Sequence, residues 1–402
     1  MSKFYTIIKK EKNNYDFIEK VNNKEYNKKG EITKISRSLC GENSLLSIKF
    51  PNITSCYHFF SYDENQDGKD TIVKDETIKN SNIALPPYVR KDDIIMDTRG
   101  VKDFSYFLKN NSNKLREFIP DINYAFAENM LQAFMGLESL EILHTINSKK
   151  CKYFRETFRN CKKIQTVDVN TLSGVDFFEM FGGCDNLTNI ELDMNNANQL
   201  GFMFSGCKNL KKVKFKNFCK DTGVIIPNYF GLFNGCNSLP DIDLRGVKSI
   251  SYSDLFNECT SLKTIKNLDL GGQILSYTSG NVEYYQTFRK CYNLEKLDVH
   301  NIYCRLYLND SPNLSDESLL QIAKELITPY KIYDGPVWEI ALYLNDNDRI
   351  KSYLNNTYCR IIENDNKKVP IELVNSDENN AISLYDYITN VKKWKVKYEV
   401  SS

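Results

Sequence analysis

Six cysteines recur at one place in a repeating pattern: Cys161, Cys184, Cys207, Cys236, Cys259 and Cys291. A thiol can hold a soft metal, exchange disulfides or attack a substrate, and each role needs partners at set spacing. Here the spacing is one cysteine per repeat rather than Cys-x-x-Cys, so a buried structural ladder of small apolar groups is predicted. Cys56 and His58 form a lone Cys-x-His, also read as structural. The three histidines, His58, His144 and His300, lie in no Ser-His-Asp or His-Glu-x-x-His context, and no glycine-rich phosphate loop is present. The run from Asp63 to Asp70 lacks the alternate-ligand spacing and closing Glu of a calcium loop, so a solvated turn is expected. The reading is a non-enzyme with no catalytic residue, no metal and no cofactor.

The elements that carry the cysteines repeat with them. Phe-x-x-Cys-x-x-Leu-x-x-Val-x-Phe describes residues 204–215, and leading phenylalanines stand at 134, 158, 181, 204, 233, 256 and 288. Their separations are 24, 23, 23, 29, 23 and 32 residues. A period of about 23 residues, each copy burying its apolar face against its neighbours, predicts a solenoid. The Leu-x-x-Ile-x-Leu half alternates like a short strand, and the Phe-x-x-Cys-x-x-Leu half has the i, i+3 spacing of a short helical turn. One strand and one helical turn per repeat make an α/β solenoid of the leucine-rich-repeat kind.

The segments Met180–Leu187, Met203–Leu210, Leu232–Leu239 and Leu255–Leu262 (MFGGCDNL, MFSGCKNL, LFNGCNSL and LFNECTSL) resemble BspA-like leucine-rich repeats. The likeness covers roughly 130–300 and implies a binding role. Such repeats occur in bacterial surface proteins, in parasitic protists and in bacteriophage tail proteins. Residues 311–319, Ser-Pro-Asn-Leu-Ser-Asp-Glu-Ser-Leu, and Lys393-Trp394-Lys-Val396 resemble the C-terminal cap of repeat proteins in phage tail modules, with Lys393 where that motif has Gly.

The expected organisation is an N-terminal β appendage over 1–35, a repeat array over 36–309 and an α/β cap over 310–402. The array is irregular to about residue 93 and regular over 130–300. Leu45-Leu46-Ser-Ile48-Lys-Phe50 fits a repeat strand, and Phe107 leads a degenerate repeat. The Arg-Gly-Val-Lys shared by 99–102 and 245–248 places a glycine at a tight strand exit. A helix is expected over 318–326, followed by a strand near 337–344 and two helix-plus-strand units.

Two surfaces are candidates for ligand or partner binding. Insertions after Phe215 and Leu270 carry Tyr229 and Phe230, and Tyr277, Tyr284 and Tyr285; Tyr-, Ser-, Gly- and Asn-rich loops suit adaptable recognition, but these could equally pack over the array's edge. The outward middle residues of the strands include Asp243, Asp269 and Asp298, an acidic run that could meet a cation or a hydroxylated ligand, while Lys214 is expected opposite Asp243.

A net charge of +1 with interspersed Lys and Asp/Glu gives no electrostatic case for nucleic acid, and no apolar run is long enough for membrane insertion. Residues 1–9 return to charge after a few apolar side chains, which argues against a secretion signal. The resemblance implies a phage or tailocin tail or baseplate component, assembled in the host cytoplasm and carried in the virion. It would contact other tail or baseplate proteins through residues 1–35 and a host cell-surface protein or glycan through the repeats. A cytoplasmic interaction scaffold and a BspA-like surface adhesin are the alternatives.

Overall fold

The structure is a computed structural model. It describes the backbone of strands 3–11, 14–21, 24–29, 46–50 and 94–96, and main chain with side chains over 87–89, 98, 100–111, 113–217, 229–245, 252–270, 286–302, 305–327, 341–362 and 370–401. The chain divides into two compact units, Met1–Ala197 with Lys214–Asn217, and Asn198–Val213 with Phe218–Ser402.

The first unit opens on an antiparallel meander of strands Lys3–Glu11, Asn14–Val21 and Lys24–Lys29. Strand Leu46–Phe50 adds in parallel to the first of these, and Ile94–Met96 adds in parallel to Leu46–Phe50. One sheet therefore runs across the residue-35 boundary. Thr98 to Val101 then closes a turn with Gly100 at φ +89°, a left-handed value that a glycine meets without a Cβ penalty.

The repeats differ from expectation in their Phe-x-x-Cys half, which is a run of linked β-turns and not a helical turn. Two residues per repeat, two before and two after the leading position, take positive φ: Glu156 and Asn160, Glu179 and Gly183, Phe202 and Gly206, Gly231 and Gly235, Asp254 and Glu258. An α-helix needs negative φ throughout. The amides alternate in use. Cys161, Cys184, Cys236 and Cys259 donate to the carbonyl three residues back, while Phe158 donates to Met180 O and Phe233 to Leu255 O in the next repeat. The i, i+3 apolar spacing is shared by a helical turn and by such a turn chain, so it does not separate them. Among the described residues, α-helix lies only in the C-terminal part.

Backbone register also moves the start of the first full repeat. Tyr106 and Asn110 hold its two left-handed positions, and Leu108 N–H bonds Ala133 O as Phe134 N–H bonds Thr157 O. Leu108, not Phe107, leads this repeat; Phe107 is buried beside it, edge-on to Phe118 and Phe134.

The core is a pair of aromatic files. Phe134, Phe158 and Phe181 stack at 5.5 and 5.4 Å in the first unit, and Phe204, Phe233, Phe256 and Phe288 at 5.6, 5.7 and 6.1 Å in the second. Four residues before Phe158, Phe181, Phe233 and Phe256 stand Phe154, Phe177, Tyr229 and Tyr252, all buried. Burying each ring contributes about 1.5–3 kcal/mol.

In the second unit, strands Asp241–Asp243, Thr264–Asp269 and Lys296–His300 are parallel. Helix Asp316–Glu325 follows, two residues earlier than expected at its start, with Ser315 accepting the Ser318 amide as N-cap. Strands Leu306–Leu308, Ala341–Asn345 and Lys395–Glu399 form a parallel sheet, and Tyr358–Ile361 sits between Ile371–Val374 and Ile382–Ser383. Of the two expected later helices, Asp348–Asn356 is formed with an Asn347 cap, whereas 384–391 is one short turn passing into a wide helical turn. Trp394 is buried and donates Nε1–H to Ile327 O at 2.9 Å, tying the closing strand to the end of the first helix.

Candidate binding surface

The six cysteines are buried, and their geometry explains the residue type. Phe158 O accepts the amide of Cys161 and the thiol of Cys184, each at 3.0 Å. Phe204 O takes the Cys207 amide and Cys236 Sγ, Phe233 O the Cys236 amide and Cys259 Sγ, and Phe256 O the Cys259 amide and Cys291 Sγ. Each carbonyl thus uses both lone pairs, one within its repeat and one toward the next. Cysteine is a small apolar side chain that still carries a donor. Burial pushes the Cys161 thiol up to about 12 and raises those of Cys236, Cys259 and Cys291 as well, so these groups stay protonated. A thiol held in its protonated form is a poor nucleophile.

The acidic run on the strands is broken and partnered. Lys266 stands opposite Asp243 in an unbroken register, and a bulge between Ile265 and Leu268 against the following strand puts Asp269 at the strand's end opposite His300. Asp243 accepts from Asn267 Nδ2 at 2.7 Å and from the Arg245 amide at 3.0 Å. Asp269 accepts from Asn301 Nδ2 at 2.8 Å; Asp298 accepts from the Asn267 amide at 3.0 Å and meets His300 Nε2 at 3.2 Å. Asn217, Asn267 and Asn301 all take positive φ and reach back to an aspartate of the preceding repeat, a device that needs asparagine's tolerance of that region. Lys214 pairs with Glu191 of the preceding strand at 3.2 Å, and Lys216 joins it; both lysines draw the Glu191 carboxyl below its ordinary range. Among the described residues no three His, Cys, Asp or Glu side chains gather as metal ligands.

The insertion residues divide. Tyr229 is fully buried at the aromatic position four before Phe233, 6.3 Å from Tyr252, so it belongs to the core and does not face a ligand. Phe230 is half-buried and packs edge-on to Phe202 at 4.9 Å. Tyr277, Tyr284 and Tyr285 lie outside the described residues.

Residues 130–226 and 179–302 match the BspA type leucine rich repeat region, in six copies. The leucine-rich repeat protein of Bacteroides ovatus ATCC 8483, a solved structure, is similar at 14% identity over 78% of this chain and 86% of that one, with a TM-score of 0.28. No curated protein matches the chain. In this repeat class the Gly-Cys pair has a plain cause here: the glycine is the left-handed third residue of the turn that the leading Phe carbonyl and the Cys amide close.

One surface escapes the pattern-based reading. Phe126, Tyr153 and Leu172 are 43%, 49% and 43% exposed in the first unit, although large apolar side chains elsewhere in its repeats are mostly buried. They lie between the Leu-x-Leu strand and the next turn chain, where the repeat has no fixed letters. Their only sequence signal is a hydrophobe at a position the repeat does not require.

Proposed function

We propose that the chain is a non-catalytic binding protein whose leucine-rich repeats, built as a capped solenoid, present a rigid surface to a protein partner. The observation that carries this reading is the division of labour within each repeat. Phe, Cys and Leu positions are consumed by stacking and by carbonyl satisfaction, and what varies from repeat to repeat is exposed side chains. Leucine-rich repeats generally mediate protein–protein contact, and no feature of the described residues points to catalysis.

The finer assignment is a tail or baseplate component of a phage or tailocin that contacts the host surface. It is supported by the C-terminal resemblance, in which Ser315 of the Ser-Asp-Glu-Ser run caps helix Asp316–Glu325 and Trp394 enters the closing strand. A BspA-like adhesin is equally consistent with the repeats. The test is sedimentation of lysate from source cells after prophage induction, with mass spectrometry of the high-mass particles. Co-sedimentation with tail-tube and baseplate proteins is expected; tails that sediment without this chain would leave the adhesin or scaffold reading.

A further inference from the structure

Three neighbouring segments of the first unit, 123–129, 147–153 and 170–176, run side by side. Parallel bridges join Asn129 to Tyr153 and Tyr153 to Asp176, and Lys152 N–H bonds Glu128 O at 3.0 Å as Val175 N–H bonds Lys152 O at 2.8 Å. Ser173 Oγ donates to Lys149 O at 2.6 Å, which seats Leu172 and Ser173 directly against the lysine-bearing segment.

On this band two kinds of side chain alternate. Phe126, Tyr153 and Leu172 are exposed hydrophobes. Lys149, Lys150 and Lys152 are exposed cations, and Lys150 Nζ lies 5.1 Å from the Phe126 ring centre. The two carboxylates of these segments each make their ion pair with an arginine or lysine outside the lysine triplet. Glu128 is held by Lys102 at 2.9 Å and Asp176 by Arg155 at 2.9 Å. Among the described residues no ion pair is made by Lys149, Lys150 or Lys152. The middle segment, Asn147 to Tyr153, has three lysines and no acid. Lys150 and Lys152 also draw on the Glu128 carboxylate, which Lys102 already pairs, so the band keeps more positive than negative charge. An apolar patch interleaved with such an excess is complementary to apolar groups carried on an anionic segment.

We propose that this band docks an acidic peptide segment of a partner protein, with an aromatic or aliphatic side chain seated among Phe126, Tyr153 and Leu172 and its carboxylates met by Lys149, Lys150 and Lys152. The proposal rests on the binding-protein reading above and names the face that reading leaves open. The ring positions supply an anchor, and the lysines set register and steer encounter. Binding therefore weakens as salt rises past about 0.15 M, where screening acts over roughly 8 Å.

The experiment uses the full chain and a fluorescein-labelled acidic peptide with two adjacent phenylalanines at its centre, read by fluorescence polarisation. The triple change Lys149→Glu, Lys150→Glu, Lys152→Glu is expected to weaken binding by more than about tenfold, since like charges then face each other. The pair Phe126→Ser, Tyr153→Ser is expected to weaken it several-fold with the salt dependence kept. All five positions are exposed, so circular dichroism and melting should be unchanged. A matched reversal, Lys208→Glu, Lys263→Glu, Lys296→Glu, should leave affinity intact. No binding by the unaltered chain, equal loss in the matched reversal, or equal affinity for heparin and for the peptide would each overturn the proposal. Any of these would leave untouched the particle association that tests the broader reading.

Discussion

The two sides of a repeat are built on different terms. On the turn side the backbone itself is the ladder: alternate amides bond within the repeat and to the next, left-handed residues recur two before and two after each leading Phe, and rings and thiols fall into file. On the strand side the outward residues change from repeat to repeat, from Glu191 between two lysines to Asp243 held by Asn267 with Lys266 opposite it. Where one residue type returns every repeat its cause is internal; where types vary, the surface is free to serve a partner.

The sharpest way to break that contrast is at the ring file. Phe233 is buried between Phe204 and Phe256, so Phe233→Ala should cost about 3–5 kcal/mol in urea unfolding. A loss under about 1 kcal/mol would mean that the file is ornamental. Next comes the left-handed row. A Cβ on Gly183 would meet Asn160 Oδ1 at 2.4 Å, at a φ of +71°. Gly183→Ala should cost about 1–3 kcal/mol. Adding Asn160→Gly, which removes the obstructing side chain at a position itself at φ +61°, should recover the steric part and leave the conformational part, which separates the two by thermal melting.

The thiols give a smaller, pH-dependent effect. Burial holds Cys161 and Cys151 up to about 12, above the ordinary value near 9. The folded state keeps protons that the unfolded chain releases, so stability is intact below pH 9 and falls as pH rises from 9 toward 12. Each thiol contributes a slope of about 1.4 kcal/mol per pH unit across that window. Cys161→Ala should flatten the alkaline decline, and an unchanged slope would show that the buried thiols do not govern it. Smallest is Glu191→Ala, which removes exposed ion pairs to Lys214 and Lys216 and should not shift the unfolding midpoint measurably.

Much of the repeat region was legible from spacing. The Phe, Cys and Leu positions of 134–299 are the buried ones, and the helix after Leu314 and the strand after Trp394 stand near their expected places. The candidate site was far less legible. Tyr229 looked like a loop tyrosine because the insertion before it hid its register with Tyr252, and only the backbone ladder assigns it to the core. The acids at 243, 269 and 298 looked like one wall because a single bulge at Lys266 and Asn267 leaves no mark on a Leu-x-Leu pattern. The exposed Phe126, Tyr153 and Leu172 sit where the repeat imposes no residue type, so periodicity does not reveal them.

The sequence by itself determined which side chains are internal, because a fixed apolar period admits one set of inward positions. Tertiary structure decided the conformation between them. Spacing of i, i+3 suits a helix or a chain of turns equally, and the choice falls to turns because each second amide has a carbonyl waiting in the next repeat. That partner lies about 23 residues away and is absent from any local window, which is also why the start at Leu108 and the asparagines at 217, 267 and 301 gain their meaning only in the fold.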